Sequence, residues 1–322
     1  MGIFRLLISL LALAATALAA AQNQPANDSE RGAVHAQMRN VLYRFSPEIA
    51  VFIRRLGGEL VPAGGASLPI FDDKRTFNLK IDAAEIAIST QALTSTLNSY
   101  VFTAKDAPLN DISVAIDKDR LQIKGKLHNK GDLGFECEGH LSATEQGKIR
   151  LHVEKIRALH LPVKGLMDLL GVDVADLIKT GKVRGVEVEK DDLILDPALI
   201  LPPPHISGRV TSVRLENGNV VQVLGDPEKY PWEKVAEKNY MAYRGNRLRF
   251  GKLTMDNADM MLIDTTPADP FDFYLDHYVE QLVAGYTKNT PQNGLRVFMP
   301  DYAKLHRSQS AGRPAGQPRH VK

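Results

Sequence analysis

Apolar and polar residues alternate along the middle of the chain, and this pattern limits the possible folds more than any other feature. Apolar or small side chains occupy every second position from Leu133 to Leu141 and again from Ile149 to Val153. Because successive side chains of a strand point to opposite faces of a sheet, each strand has one apolar and one polar face. This favours an antiparallel sheet, since parallel strands are usually apolar on both faces. The same alternation recurs at residues 112–116, 121–127, 186–188 and 206–213.

Short helices are predicted between these strands. Leu93, Leu97 and Tyr100 follow a helical spacing, and either Ser89 or Thr90 is suited to cap the helix. A sheet with few helices predicts the α+β class with strands dominant. Further helices are predicted at residues 162–170 and 174–180.

Glycine and proline mark two predicted breaks in the strands. Gly57 and Gly58 lie between two apolar runs and predict a two-residue hairpin turn. Pro202, Pro203 and Pro204 cannot continue a ladder of hydrogen bonds, because proline lacks the backbone donor. They predict a stiff connector before the strand that begins near Ile206.

The first residues have the pattern of a signal peptide. Arg5 precedes an apolar run over residues 6–18, and Ala17 and Ala19 form an A-x-A cleavage pattern. The run is too short to span a hydrocarbon core of ~30 Å. We therefore expect an exported protein, periplasmic or extracellular, that is soluble after removal of the signal peptide. The expected division is a signal peptide at 1–21, a linker at 22–33, a β-rich domain at 34–225, a C-terminal extension packed on it at 226–303 and a disordered basic tail at 304–322.

Composition and motifs exclude several classes of protein. The 40 Lys and Arg residues against 38 Asp and Glu give a net charge of +2, so no overall charge favours nucleic acid as a partner. Cys137 is the single cysteine, which excludes an intrachain disulfide and any multi-cysteine metal site. The sequence has no Gly-rich phosphate loop and no common nucleophile motif. We expect no cofactor, no metal and no catalytic residue.

An acidic and aromatic run near the C-terminus has two interpretations. Asp272 and Asp276 would share one face of a helix, beside His277. Such a group could bind a hard cation or act as an acid/base pair. Alternatively, Asp269 and Pro270 begin a helix whose N-terminus the early carboxylates stabilise.

Four basic residues precede this run, and they also have two interpretations. They could contact a phosphate headgroup or a membrane surface. Alternatively, they are solvated or pair with the acidic residues that follow. The four residues are Arg244, Arg247, Arg249 and Lys252.

Several segments carry a resemblance to a known family. They are residues 89–93 (STQAL), 108–114 (PLNDISV), 121–125 (LQIKG), 161–170 (LPVKGLMDLL) and 192–197 (DLILDP). Together they resemble the LmeA-like family of exported bacterial phospholipid-binding proteins, which is related to the tubular lipid-binding (TULIP) domains. The resemblance covers roughly residues 75–225, and the chain differs from the family before and after this range.

The resemblance implies a highly curved antiparallel sheet wrapped around one or more amphipathic helices, with an apolar groove for acyl chains. It implies no catalytic motif. The leading hypothesis is an exported, non-enzymatic protein that holds phospholipid or glycolipid chains for lipid carriage or envelope assembly. The alternatives are an exported hydrolase that uses the C-terminal carboxylates with His277, and a structural envelope module that binds protein or glycan. The candidates for lining the groove are Leu93, Leu97, Tyr100, Leu166, Leu170, Leu177 and Ile178.

Overall fold

The computed structural model describes residues 33–128, 131–158, 167–168 and 183–305. Within these residues 54% lie in strands and 12% in helices, which confirms that strands dominate. The predicted signal peptide and most of the basic tail lie outside the described residues, as does the helix predicted at 174–180. Of the helix predicted at 162–170 only Met167 and Asp168 are described, and they form a short strand instead.

The strands and helices are numbered in chain order. The strands are β1 (Val34–Arg44), β2 (Ala50–Pro62), β3 (Phe77–Ser89), β4 (Leu109–Asp117), β5 (Arg120–Leu127), β6 (Leu133–Ala143), β7 (Ile149–Ala158), β8 (Met167–Asp168), β9 (Val186–Glu189), β10 (Asp192–Leu195), β11 (His205–Ser207), β12 (Val210–Glu216), β13 (Asn219–Gly225), β14 (Tyr240–Gly245), β15 (Leu248–Phe250), β16 (Leu253–Met255), β17 (Ala258–Asp264), β18 (Phe271–Tyr274), β19 (Tyr286–Asn289) and β20 (Leu295–Met299). The helices are α1 (Thr90–Thr96), which continues as a π-helical turn (Leu97–Val101), α2 (Pro197–Ile200) and α3 (Tyr278–Val283), which follows a 3₁₀ turn (Leu275–His277).

The strands form two main sheets and a small hairpin. The first sheet has eleven strands in the order β12-β13-β3-β2-β1-β14-β17-β20-β19, with β11 beside β3 and β18 beside β1. The second has seven strands in the order β4-β5-β6-β7-β10-β9, with β8 beside β7. The hairpin pairs β15 with β16. Most pairs are antiparallel, and one buried apolar cluster contains residues of both main sheets.

Strand β1 pairs with strands from the C-terminal part of the described chain. One of its edges pairs with β2, and the other is divided between β14 and β18. The pairing with β14 is antiparallel and that with β18 is parallel. The segment predicted as a C-terminal extension, residues 226–303, therefore contributes strands to the first sheet itself.

The hairpin turn predicted at Gly57 and Gly58 is wrong. Both glycines lie inside the continuous strand β2, and the register against β3 shifts between them. A Cβ atom on Gly58 would lie 2.1 Å from the backbone oxygen of Lys80. The glycines therefore permit a β-bulge and a close approach of two strands, which is the other common use of glycine inside a strand.

The helix predicted to begin at Asp269 and Pro270 is also wrong. Residues 271–274 form β18, which lies in parallel against the end of β1. All of its side chains are buried, and Phe271 and Phe273 have no exposed surface. A long-range pairing with β1 overrides the local signal of a helix start.

The alternation that predicted antiparallel strands at residues 133–141 and 149–153 is confirmed. Phe135 and Cys137 of β6 and Leu151 of β7 are buried. Glu136 and Glu138, between the buried positions, reach the opposite face and lie near basic side chains of β5. Each strand therefore has one apolar and one polar face, as its period of two requires.

Ion pairs cover part of the outer face of the first sheet. The register of β2 against β3 shifts between Ile53 and Arg55, so that Arg54 and Arg55 both reach the face that carries Glu85. Burial raises the pKa of Glu85, but hydrogen bonds from Arg214 and Arg54 outweigh it and lower the pKa below its ordinary value. The charged groups on this part of the face therefore pair with one another.

Helix α1 begins as the sequence predicts and is fixed against the edge of the second sheet. The Ser89 hydroxyl accepts a hydrogen bond from Ala92 N at 3.1 Å, as an N-cap does. The Asn98 side chain accepts from Ile112 N at 2.9 Å and donates to Ile112 O at 2.6 Å. These bonds satisfy part of the free edge of β4 and fix the helical segment against it.

Candidate functional site

A first apolar cavity lies against the inner face of the first sheet. Its volume is about 70 Å³. The walls come mainly from β1, β2, β3 and β13, and the segments around Leu93 and Ile200 close it. The lining includes Met38, Ile53, Leu60, Leu79, Ile88 and Leu224.

A second apolar cavity lies against the inner face of the second sheet. Its volume is about 80 Å³. Its walls are the apolar positions of β4 to β7, β9 and β10, together with Leu97 at the start of the π-helical turn and Phe102 just after it. The lining includes Val114, Ile123, Phe135, Leu151, Val153 and Leu193.

The two cavities share one wall. Leu93 and Thr96 of α1, Ile200 of α2 and Gln222 of β13 line both of them. The short helices therefore lie between two apolar spaces, one for each sheet. This shared wall is made of side chains, which can move more easily than the hydrogen-bonded strands on either side.

Very few polar groups reach these cavities. Tyr43 and Tyr243 line the first, and burial raises the pKa of both hydroxyls. Cys137 lines the second, and burial raises the pKa of its thiol to about 12. A neutral, buried thiol is a poor nucleophile. The cavities can therefore receive apolar groups, but their tyrosine and cysteine side chains are poorly suited to ionic chemistry.

The predicted groove residues divide into two sets. Leu93 lines both cavities and Leu97 lines the second. Tyr100 lies on the π-helical turn and is not part of either lining. The other four candidates, Leu166, Leu170, Leu177 and Ile178, lie outside the described residues.

The predicted basic residues lie around the small hairpin. Arg244 lies near the end of β14, close to Glu233 and Asp259, and Arg247 pairs with Asp256 at 2.8 Å. Arg249 and Lys252 are exposed on the hairpin itself. The last of these precedes Leu253, whose side chain is 48% exposed. Arg244 and Arg247 are therefore neutralised locally, whereas the hairpin presents positive and apolar groups together.

The structure does not bring together the acidic residues proposed for an acid/base site. Asp272 lies on β18 and forms two hydrogen bonds with Arg44, at 2.6 and 3.0 Å. Asp276 lies in the 3₁₀ turn and pairs with Lys74. His277 contacts Glu280 at 2.7 Å. The expectation that Asp272 and Asp276 share a helix face is wrong, because one of them is on a strand.

The described part of the chain offers neither a cluster of metal-ligating side chains nor a membrane-spanning helix. No group of three or more His, Cys, Asp or Glu side chains there is arranged to hold a metal ion. Nor does that part contain a helix long and apolar enough to cross a membrane.

Comparisons with known proteins identified no relative of this chain. No family model matches the sequence, and neither the curated proteins nor the solved structures contain a significant match. The resemblance to exported phospholipid-binding proteins therefore stays a prediction.

Sequence reasoning missed most of the first cavity. Ile53, Leu79 and Leu224 are single apolar positions on three different strands, and only the pairing of those strands brings them together. Gln222 was missed as well. Its signal was available, because it is a polar residue between Val220 and Leu224 on the apolar face of its strand.

Proposed function

We propose that this protein binds the apolar chains of a lipid in the two cavities between its sheets. The observation that carries the proposal is the shared helical wall with an apolar cavity on each side. Both sheets would then curve around α1 and α2, in the manner of a groove that encloses acyl chains. The protein would act without catalysis, and its predicted export suggests a role in carrying or assembling envelope lipids.

The size of the cavities sets a condition on binding. Their volumes of about 70 and 80 Å³ are each smaller than the roughly 150 Å³ that admits a benzene molecule. An acyl chain must therefore widen the space, most simply by moving α1 and the π-helical turn. Each buried methylene contributes about 0.8 kcal/mol, so several methylenes offset a modest rearrangement of side chains.

A larger side chain at Leu93 should block both cavities. We expect Leu93→Trp to lower the affinity for a fluorescent fatty acid about tenfold, or ~1.4 kcal/mol, because an indole ring fills space on both sides of the shared wall. Leu93 is only half-buried, so the fold should tolerate the change. Fluorescence titration of the purified protein measures the affinity.

Gln91→Trp provides the matched control for this test. Gln91 is exposed on the same helix, so its replacement adds an indole ring without filling a cavity. We expect this variant to bind like the wild type. Equal affinity of Leu93→Trp and wild type would contradict the proposal, as would an unliganded crystal structure with no cavity beside α1.

The hairpin of β15 and β16 would contact the membrane surface during lipid exchange. Two exposed cations, Arg249 and Lys252, lie beside the exposed Leu253. We expect the double substitution Arg249→Glu, Lys252→Glu to reduce binding to anionic vesicles at least about tenfold, since each basic residue near such a surface contributes ~1 kcal/mol. Vesicle flotation at low salt measures the bound fraction. A double variant of Lys118→Glu and Lys229→Glu changes the net charge equally on exposed turns elsewhere, and equal losses in both would exclude a specific contact.

A further inference from the structure

Gln222 interrupts an apolar row on the inner face of β13. Val220 lines the second cavity, Leu224 lines the first, and Gln222 between them lines both. Gln222 is half-buried, and within the part of the chain that the structure describes its side-chain amide has no hydrogen-bond partner from the protein. A polar group that lines an apolar space without a protein partner contributes less to stability than an apolar side chain of similar size. Stability alone would favour leucine or methionine at this position.

Thr96 is the second polar group at the boundary between the cavities. Its hydroxyl is buried and donates its proton to Ala92 O at 2.7 Å. The oxygen of a hydroxyl that has donated can still accept a hydrogen bond, and a glutamine amide can both donate and accept. Among the described residues, the two polar groups of the shared wall are therefore placed where a ligand would pass from one cavity into the other.

We propose that this junction recognises the polar linker of a two-chain lipid, with one apolar chain in each cavity. Gln222 Nε2 donates a hydrogen bond to an ester carbonyl of the linker, and this carbonyl is a partner that none of the described residues provides. The inference rests on the lipid-binding function proposed above and names its ligand class. It also makes Gln222 a residue that determines specificity rather than one that supplies affinity for hydrocarbon.

A pair of lipids that differ only in the carbonyl groups tests this inference. The probes are a phosphatidylglycerol with two ester-linked chains and its diether analogue with chains of the same length. Vesicles that contain equal amounts of both are incubated with the protein, and native mass spectrometry gives the ratio of the two adducts directly. We expect the wild type to favour the diester about tenfold, the size of one net hydrogen bond.

Gln222→Leu should remove this preference, so that both lipids bind with the affinity of the diether. Gln222→Met is a second apolar variant in case leucine disturbs the packing, and circular dichroism confirms the fold of each. Gln122→Leu is the control, since Gln122 contacts Glu138 on the outer face of the second sheet. This variant should keep the preference of the wild type.

The outcomes separate this inference from the function on which it rests. If the wild type binds both lipids equally, or if Gln222→Leu and Gln222→Met keep the preference, recognition by Gln222 is refuted while lipid binding stands. If the wild type binds neither lipid, the proposed function fails and the inference fails with it.

Discussion

Asp272→Ala should lower the free energy of unfolding by about 3 to 5 kcal/mol, the cost of leaving one partner of a buried ion pair without the other. The Asp272 carboxylate is 9% exposed and the Arg44 side chain 19% exposed. Two hydrogen bonds join them, and the same carboxylate accepts a further one from Ala303 N at 3.2 Å. The substitution therefore removes three hydrogen bonds and leaves a guanidinium group with little access to water.

Urea denaturation at neutral pH measures this loss as a shift of the midpoint with an unchanged slope. Asp276→Ala is the matched control, since the Asp276 side chain is 44% exposed and its partner Lys74 is 33% exposed. An exposed pair contributes about 0 to 1 kcal/mol. Equal losses in the two variants would contradict a structural role for the Arg44–Asp272 pair.

This prediction bears on the hydrolase hypothesis as well. If Asp272→Ala unfolds readily, a loss of any activity in that variant says nothing about catalysis. His277→Ala is the better probe, because His277 lies at the surface in a contact with Glu280. A hydrolase that depends on His277 would lose its activity in this variant while its stability stays close to that of the wild type.

Gly58→Ala is the second substitution with a large expected effect. A Cβ atom at this position would lie 2.1 Å from Lys80 O and 3.1 Å from the Cα of Ile81. Both atoms belong to the backbone of β3, so the strands must separate at the bulge to admit a methyl group. We expect a loss of about 3 kcal/mol, at the upper end of the usual cost of overpacking.

The neighbouring Gly57→Ala provides an internal comparison. Its Cβ atom would meet the ring of Tyr230 at 2.2 Å, and a side chain can rotate away where a backbone cannot. We expect this variant to lose only about 1 kcal/mol. Urea midpoints of the two variants, measured side by side, compare the two losses of stability. A larger loss for Gly57→Ala would show that the backbone contact at Gly58 is not the more restrictive of the two.

The same glycines show where prediction from sequence succeeds and where it fails. The apolar runs on either side of Gly57 and Gly58 do form β structure, but glycine is common both in turns and in bulges. The choice between the two depends on β3, which no local pattern near Gly58 specifies. Similarly, Asp269 and Pro270 resemble a helix start, yet the burial of Phe271 and Phe273 against β1 makes a strand.

Only the helical wall of the candidate site could be predicted from sequence, because only that wall comes from one continuous segment with a recognisable spacing. The helical spacing of Leu93 and Leu97 correctly indicated α1, and both residues line a cavity. The opposite walls come from strands distant in sequence, so the first cavity follows from pairing rather than from composition. Gln222 shows that one polar residue within an apolar alternation is a useful sign of a site.

The position of β1 also affects the order in which the protein can fold. This strand is near the beginning of the described chain. One whole edge of it, however, can pair only after residues 240–245 and 271–274 have been synthesised. Until those residues are available, a strand with a buried apolar face has an unpaired edge, which is a template for association with other chains. Closing loops of this length is slow. Nascent or truncated chains that end before β14 should therefore depend on chaperones to stay unaggregated, whereas a chain that includes β14 and β18 covers this edge by itself.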